Sequence, residues 1–320
     1  MPELPEVHTT ATMLHKLIKS LRVVSVWTDY DSLSHRGKDN IKDPKFFRDF
    51  SKKVTGAGFK KIYRRGKNVL MELDNGQTIL VHMKMTGHLL YGTYKRNSKS
   101  QITNHKNQTK DKQRNGKWVA EEKGPLGDFR NQFIHFVISL SNGKHLVLSD
   151  MRKFAKVTFI PTEKLETAEH LKDIGPEPLE KTFTLLRFRE RLLTKPCWKI
   201  KQALMNPEVV AGIGNIYSDE MLWLAGIHPL STVENLPRKA LHELFGAMKK
   251  ILTKGIDFGG DSTSDYRNPL GVHGKFHYHH KAYRNTGKPC GRRDCKGFIR
   301  RLRLGGRSAH FCDRHQYRYN

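Results

Sequence analysis

Cysteine is scarce in this 320-residue chain: Cys197, Cys290, Cys295 and Cys312 are all there is. Three of the four crowd into the last 31 residues, which excludes the disulfide framework that staples small secreted domains. Long apolar runs are missing as well. No stretch approaches the ~20 residues that would span a bilayer, and the N-terminus has no signal-type apolar core. A cytosolic chain without a membrane segment is expected. Acid is the third shortage. Fifty-eight Lys and Arg stand against 31 Asp and Glu, so 58 − 31 = +27, with an isoelectric point near 10.0. Such an excess repels itself in a compact state and calls for a polyanion. Nucleic acid comes first and an anionic membrane surface second, and the want of membrane signals removes the second.

The chain is organised around its start, Met1-Pro2-Glu3-Leu4-Pro5-Glu6-Val7. A small residue such as Pro after Met1 favours removal of the methionine, which leaves a secondary amine with a carboxylate on the next residue. An α-amino group titrates near ~7.7–8.0, so a useful fraction is neutral and nucleophilic toward a sugar C1′. The neighbouring carboxylate can pass protons to the ring oxygen or the leaving group. Read alone, Pro2 and Pro5 would merely stiffen the entry to a helix.

Along the chain, Val7, Met13, Leu14, Leu17 and Ile18 recur at helical spacing and predict a first helix over residues 6–19. A strand over 21–28 follows. Two hairpins are predicted, one turning at Asp74-Asn75-Gly76 and one at Ser141-Asn142-Gly143, with a further strand over 154–160. Between the hairpins, residues 95–117 hold eight Lys/Arg and a single acid, Asp111. A segment so poor in apolar residues buries no core, and a disordered basic loop is expected. Ile174-Gly175-Pro176-Glu177-Pro178 is expected to link two domains. Helices are then predicted over 183–193, 200–205, 207–212, 216–225 and 237–252. Cys197, alone among them, is expected in the core. From Lys281 to Arg318 twelve Lys/Arg face two acids, Asp294 and Asp313.

Two motifs carry specific chemistry. Cys290-x4-Cys295-x16-Cys312-x2-His315 has the outline of a pair of zinc knuckles, and four closed thiolate and imidazole ligands make a structural site. His310 competes with His315 as the fourth ligand, and the completed two-residue spacer favours His315. The second motif runs from Asn206 to Tyr217 around Gly212-Ile213-Gly214-Asn215. Asn206 and Asn215 are expected to cap helices, whose outward N-termini suit phosphate.

Taken together the motifs resemble the family of formamidopyrimidine-DNA glycosylase (Fpg) and endonuclease VIII, across nearly the whole chain apart from the basic insertion. The resemblance rests on Pro-Glu-Leu-Pro-Glu-Val, Gly66-Lys67, Met85-Thr86-Gly87, Asp150-Met151-Arg152-Lys153-Phe154, the Gly-Ile-Gly-Asn turn and Gly306-Arg307-Ser308. It implies an α+β fold. An N-terminal antiparallel β-sandwich flanked by helices (1–160) joins through 161–178 to a helix–two-turn–helix domain (179–256). A lesion-covering loop region (257–284) and a zinc-finger β-hairpin (285–320) complete it.

The resemblance also implies roles. Pro2 is the nucleophile and Glu3 the proton donor, with Glu6 supporting the site from behind as part of the DNA-binding set. Lys67, Asn215 with Gly214, and Arg307 grip the phosphates around the lesion. Met85, Arg152 and Phe154 fill the void left by an extruded nucleotide, Phe154 as wedge and Arg152 on the orphaned cytosine. One structural Zn²⁺ is implied on Cys290, Cys295, Cys312 and His315, and the partner is damaged double-stranded DNA bound by a monomer. Leu4, the separated wedge residues and the long 259–276 segment point to oxidised purines, 8-oxoguanine and formamidopyrimidines. The implied reaction is base excision through a Schiff base, then β,δ-elimination. His8 and the Cys-x4-Cys spacer depart from the usual pattern. Two other readings are carried: a binding-only protein on the same scaffold, and an endonuclease VIII-type enzyme acting on oxidised pyrimidines.

Overall fold

The computed structural model describes residues 1–97 and 117–320. The chain opens with helix α1 (Leu4–Ile18), two residues earlier than its apolar spacing predicts. The early start has a local cause. Glu6 accepts the Glu3 backbone N–H at 2.7 Å, and Pro5 falls in the first turn, where a missing N–H costs nothing. Strand β1 (Val23–Thr28), helix α2 (Pro44–Val54) and strands β2 (Phe59–Arg65), β3 (Asn68–Leu73), β4 (Gln77–His82) and β5 (His88–Gly92) follow. Next come β6 (Tyr94–Arg96), β7 (Trp118–Ala120), β8 (Ile134–Leu140), β9 (His145–Ser149) and β10 (Lys156–Pro161).

Eight of these strands form two antiparallel sheets, ordered β1-β8-β9-β5 and β10-β4-β3-β2. Both predicted hairpins are present, as β3–β4 and β8–β9. One buried core joins residues of both sheets, such as Phe136, Leu148, Val69 and Ile79, with Leu14 of α1 and Phe50 of α2. That makes the first half a β-sandwich with helices at its flank. The predicted disordered stretch 95–117 lies mostly outside the described residues. At its edges Lys95 and Arg96 belong to β6, which pairs with β7 as a separate ribbon.

The second half holds α3 (Leu185–Leu193), α4 (Ile200–Met205), α5 (Asn215–Ala225) and α6 (Arg238–Asp257), then strands β11 (Ile299–Leu304) and β12 (Arg307–Cys312) paired as a hairpin. Leu4 is fully buried in the core of these helices, and its N–H donates to Gly212 O at 2.9 Å. The first helix therefore pins one domain to the other.

Three expectations need correction. Residues 207–212 are turns and not a helix. Asn206 caps no following helix; its side chain accepts from Glu208 N at 2.9 Å in a local turn, and Gly212 leaves helical space at φ +83°. Asn215 is the first residue of α5, with Gly214 at the cap. Cys197 is exposed, because it falls in the turn between α3 and α4.

Candidate active site

The site is built where α1 meets α5. Glu3 is buried, and its carboxylate accepts the N–H groups of Ile216 at 3.0 Å and Tyr217 at 3.4 Å. These are free donors of the first turn of α5, where the helix dipole also favours negative charge. Gly214 makes the approach possible. A Cβ there would lie 2.3 Å from Glu3 Cδ. Pro2, the neighbour of Glu3 in sequence, is buried too.

Behind Glu3 sits Glu6, which is 1% exposed. Its carboxylate accepts from Glu3 N, from Tyr217 Oη at 2.6 Å and from Asp261 N at 2.7 Å. Burial, with the charges of Glu3 and Asp261, pushes this carboxyl up to about 7, against the opposing pull of the Tyr217 hydroxyl. The backbone carbonyl of Glu6 accepts from Tyr266 Oη at 3.1 Å. Glu6 thus ties α1 to α5 and to the 259–276 segment, and it faces no solvent from which DNA could approach.

Met1 lines a cavity of about 350 Å³ together with Lys67 and Arg307. Burial holds the Lys67 ammonium below the usual lysine range; Glu3 opposes the shift and Arg307 reinforces it. Lys67 follows a tight turn at Gly66, φ +56°, whose N–H donates to Glu177 Oε1 at 2.7 Å. Glu177 comes from the segment read in the sequence as a mere linker. Arg307 opens β12 and is exposed. Asn215 Nδ2 reaches Ser308 Oγ at 3.5 Å, which places Asn215 beside the hairpin tip, and its Oδ1 has no partner among the described residues.

Met85, Arg152 and Phe154 lie apart from this junction, on two adjoining loops. Met85 is 41% and Phe154 48% exposed, so neither is core. The Arg152 guanidinium lies 4.5 Å over the Phe154 ring. Phe154 precedes β10 instead of opening it, in a turn where Lys153 has φ +56°, and Lys84 beside Met85 has φ +54°. Left-handed backbone at two non-glycine residues is strain that the surroundings must hold. Asp150 holds it: fully buried, it accepts from Thr86 Oγ1 and from Ala155 N at 2.7 Å, while Arg152 N donates to Thr86 Oγ1 at 3.1 Å.

The four metal-ligand candidates come together, their donor atoms all within 4.8 Å of one another. Cys290 Sγ lies 3.1 Å from His315 Nδ1, and Cys295 Sγ 3.6 Å from Cys312 Sγ. With Zn–S bonds of ~2.3 Å, a tetrahedron has ligand–ligand edges of about 3.5–3.8 Å, so the set fits. His315 Nε2 faces Trp223 O at 2.9 Å, which leaves Nδ1 for a metal. His310 is engaged elsewhere, its Nδ1 2.8 Å from Asp219 Oδ2.

Sequence reasoning missed the partners that hold these groups: Tyr217, Asp261, Glu177 and Asp219. It also missed Glu220, which accepts the N–H groups of Lys281, Ala282 and Tyr283 and so anchors the approach to the hairpin. A buried acid on the apolar helix α5 was the available signal.

Residues 1–157 match the formamidopyrimidine-DNA glycosylase N-terminal domain, and residues 174–267 the formamidopyrimidine-DNA glycosylase H2TH domain. The formamidopyrimidine-DNA glycosylase of Herpetosiphon aurantiacus is 34% identical over 312 residues, 98% of each chain. That of Streptococcus mutans is 32% identical over the same share. Among solved structures, the Lactococcus lactis Fpg in complex with abasic-site DNA superposes with a TM-score of 0.77 at 29% identity, over 99% of this chain and 100% of that one. A MutM complex with DNA containing carbocyclic 8-oxo-G gives 0.77 at 30% identity, with the same coverage.

Proposed function

The chain belongs to the formamidopyrimidine-DNA glycosylase family, and on that premise we propose a bifunctional enzyme that removes oxidised purines from duplex DNA and then cuts the strand. The glycosylase acts on damaged DNA. Once Met1 is gone, the Pro2 imino nitrogen attacks C1′, the C1′–N bond to the base breaks, and the base leaves with a proton. Glu3 supplies a proton to the ring oxygen, so that the sugar opens to an iminium ion. Loss of a C2′ proton then expels the 3′ phosphate, and a second elimination expels the 5′ phosphate. The result is a one-nucleotide gap.

The residues around this step bind and hold. Lys67, Asn215 and Arg307 take the phosphates beside the lesion, which are pulled in as the duplex bends. Phe154, Met85 and Arg152 fill the stack that the extruded nucleotide leaves, at a cost of a few kcal/mol for unpairing. Cys290, Cys295, Cys312 and His315 would hold Zn²⁺, which supplies the hairpin with its fold and takes no part in the chemistry.

One observation carries the reading: the Glu3 carboxylate is clasped by the first turn of α5, fixing the chain's start beside Lys67 and Arg307. A binding-only protein has no use for that arrangement. Glu3→Gln is expected to lose base excision, by about 10²–10⁴-fold, while binding damaged duplex within a few-fold of wild type. Side-by-side turnover of 8-oxoguanine and thymine glycol duplexes should favour the purine; faster thymine glycol release would move the substrate class to oxidised pyrimidines.

A further inference from the structure

The cavity beside Met1 carries more positive charge than the two phosphate-gripping groups require. Lys67, Lys84, Lys156 and Arg307 line it together with His82 and His170, and no acid is among its lining residues. Lys84 and Lys156 have no role so far. The sheet register explains how they arrive there. Lys156 pairs across β10–β4 with His82, which pairs across β4–β3 with Asn68, the neighbour of Lys67. Two strand spacings of ~4.8 Å put the Lys156 backbone roughly 10 Å from the β3 row, so the positive charge is spread across the sheet and not gathered at one point.

The two histidines are arranged as neutral partners of these cations. The Lys156 ammonium donates to His170 Nε2 at 2.7 Å. His82 Nδ1 accepts from Lys84 N at 3.0 Å, which leaves its Nε2–H as a donor. Burial and the Lys84 and Lys67 charges push His82 down to about 3, and burial holds Lys156 below the lysine range against the pull of Asp39 and Glu169. Like charges around an open space of about 350 Å³ are relieved by an anion. At one end stands the catalytic junction. At the other, Lys84 adjoins Met85 and Lys156 lies two residues past Phe154.

We propose that Lys84, Lys156 and His170 form a second phosphate subsite, which takes a phosphodiester of the damaged strand next beyond the one held by Lys67 and Arg307. The inference rests on the DNA-repair reading above and adds a contact of this chain's own. It links wedge to nucleophile along one backbone.

The test uses the full-length protein and duplexes carrying a tetrahydrofuran abasic analogue. In each duplex one neutral methylphosphonate replaces a single phosphate, walked along the damaged strand on both sides of the lesion. One position, 5′ or 3′, should weaken wild-type binding by about tenfold yet leave the Lys84→Ala/Lys156→Ala variant unaffected. The salt slope of the variant should be shallower by about 0.9, one phosphate's worth, and Lys84→Arg/Lys156→Arg should restore it. If the two losses multiply at every position, or the slope is unchanged, the subsite does not exist. Borohydride trapping of the wild-type protein, run beside these measurements, scores the catalytic reading separately.

Discussion

The carboxylates of Glu3 and Glu6 lie 3% and 1% exposed, with five donors on them from α1, α5 and the 259–276 segment. Met85 and Phe154, on the two loops tied by Asp150, stand 41% and 48% exposed, and the Arg152 guanidinium lies over the Phe154 ring. The first region is finished before DNA arrives. Its cost, two acids brought together in a buried place, is met within the fold by helix N–H groups and a tyrosine. The second region is left open, and on the proposed reading its apolar surface is what enters an opened base stack. On that reading the chemistry is preorganised, and the work of opening the duplex is deferred to binding. The strained Lys84 and Lys153 show that the deferred region is nonetheless held in shape.

The comparison breaks most readily at Gly214. A Cβ 2.3 Å from Glu3 Cδ must displace the carboxylate, and Gly214→Ala is expected to slow excision by about 10²-fold with DNA affinity kept within a few-fold. Single-turnover rates against equilibrium binding separate the two; an equal loss in both would mean that the junction is not preset. Phe154→Ala probes the other region. Excision should fall by about tenfold while the thermal midpoint stays nearly unchanged, since Phe154 is half exposed and outside the core in the free protein. A midpoint lowered by several degrees would make Phe154 a core residue after all.

The smallest effect concerns pH. Glu6 has its folded value raised to about 7 above an ordinary value of 4.5, so its protonated form favours the fold. That contribution is complete below pH 4.5 and is lost as pH rises through 7. The midpoint difference between wild type and Glu6→Gln should therefore drift against wild type from pH 5 to 7, by on the order of a few degrees, and level off above. A flat difference would place Glu6 in an ordinary, solvated setting.

Local signals in the sequence proved readable. The helical spacing from Val7 to Ile18, the turn residues Asn75-Gly76 and Asn142-Gly143, and the Cys/His spacers act over a few residues, and each element stands within about two residues of where its pattern put it. The motif for 206–217 was found, but its backbone was misjudged. Asn206 bonds within its own turn, and a short helix over 207–212 had no cap to start it. What could not be read were partners far away in the chain. Tyr217 meets Glu6 across 211 residues, Asp261 meets it across 255, and Glu177 reaches Gly66 across 111. Such contacts are set by how the two cores dock, and no spacing rule encodes docking.

The central claim is that the leading imino group of the mature chain attacks C1′ in a site set before DNA binds. Reduction with borohydride in the presence of 8-oxoguanine duplex, followed by peptide mapping of the adduct by mass spectrometry, tests it directly. The account predicts one cross-link, on Pro2, absent from Pro2→Gly and from chains that keep Met1. A cross-link on Lys67 or another internal lysine, or an undiminished adduct in Pro2→Gly, would contradict it.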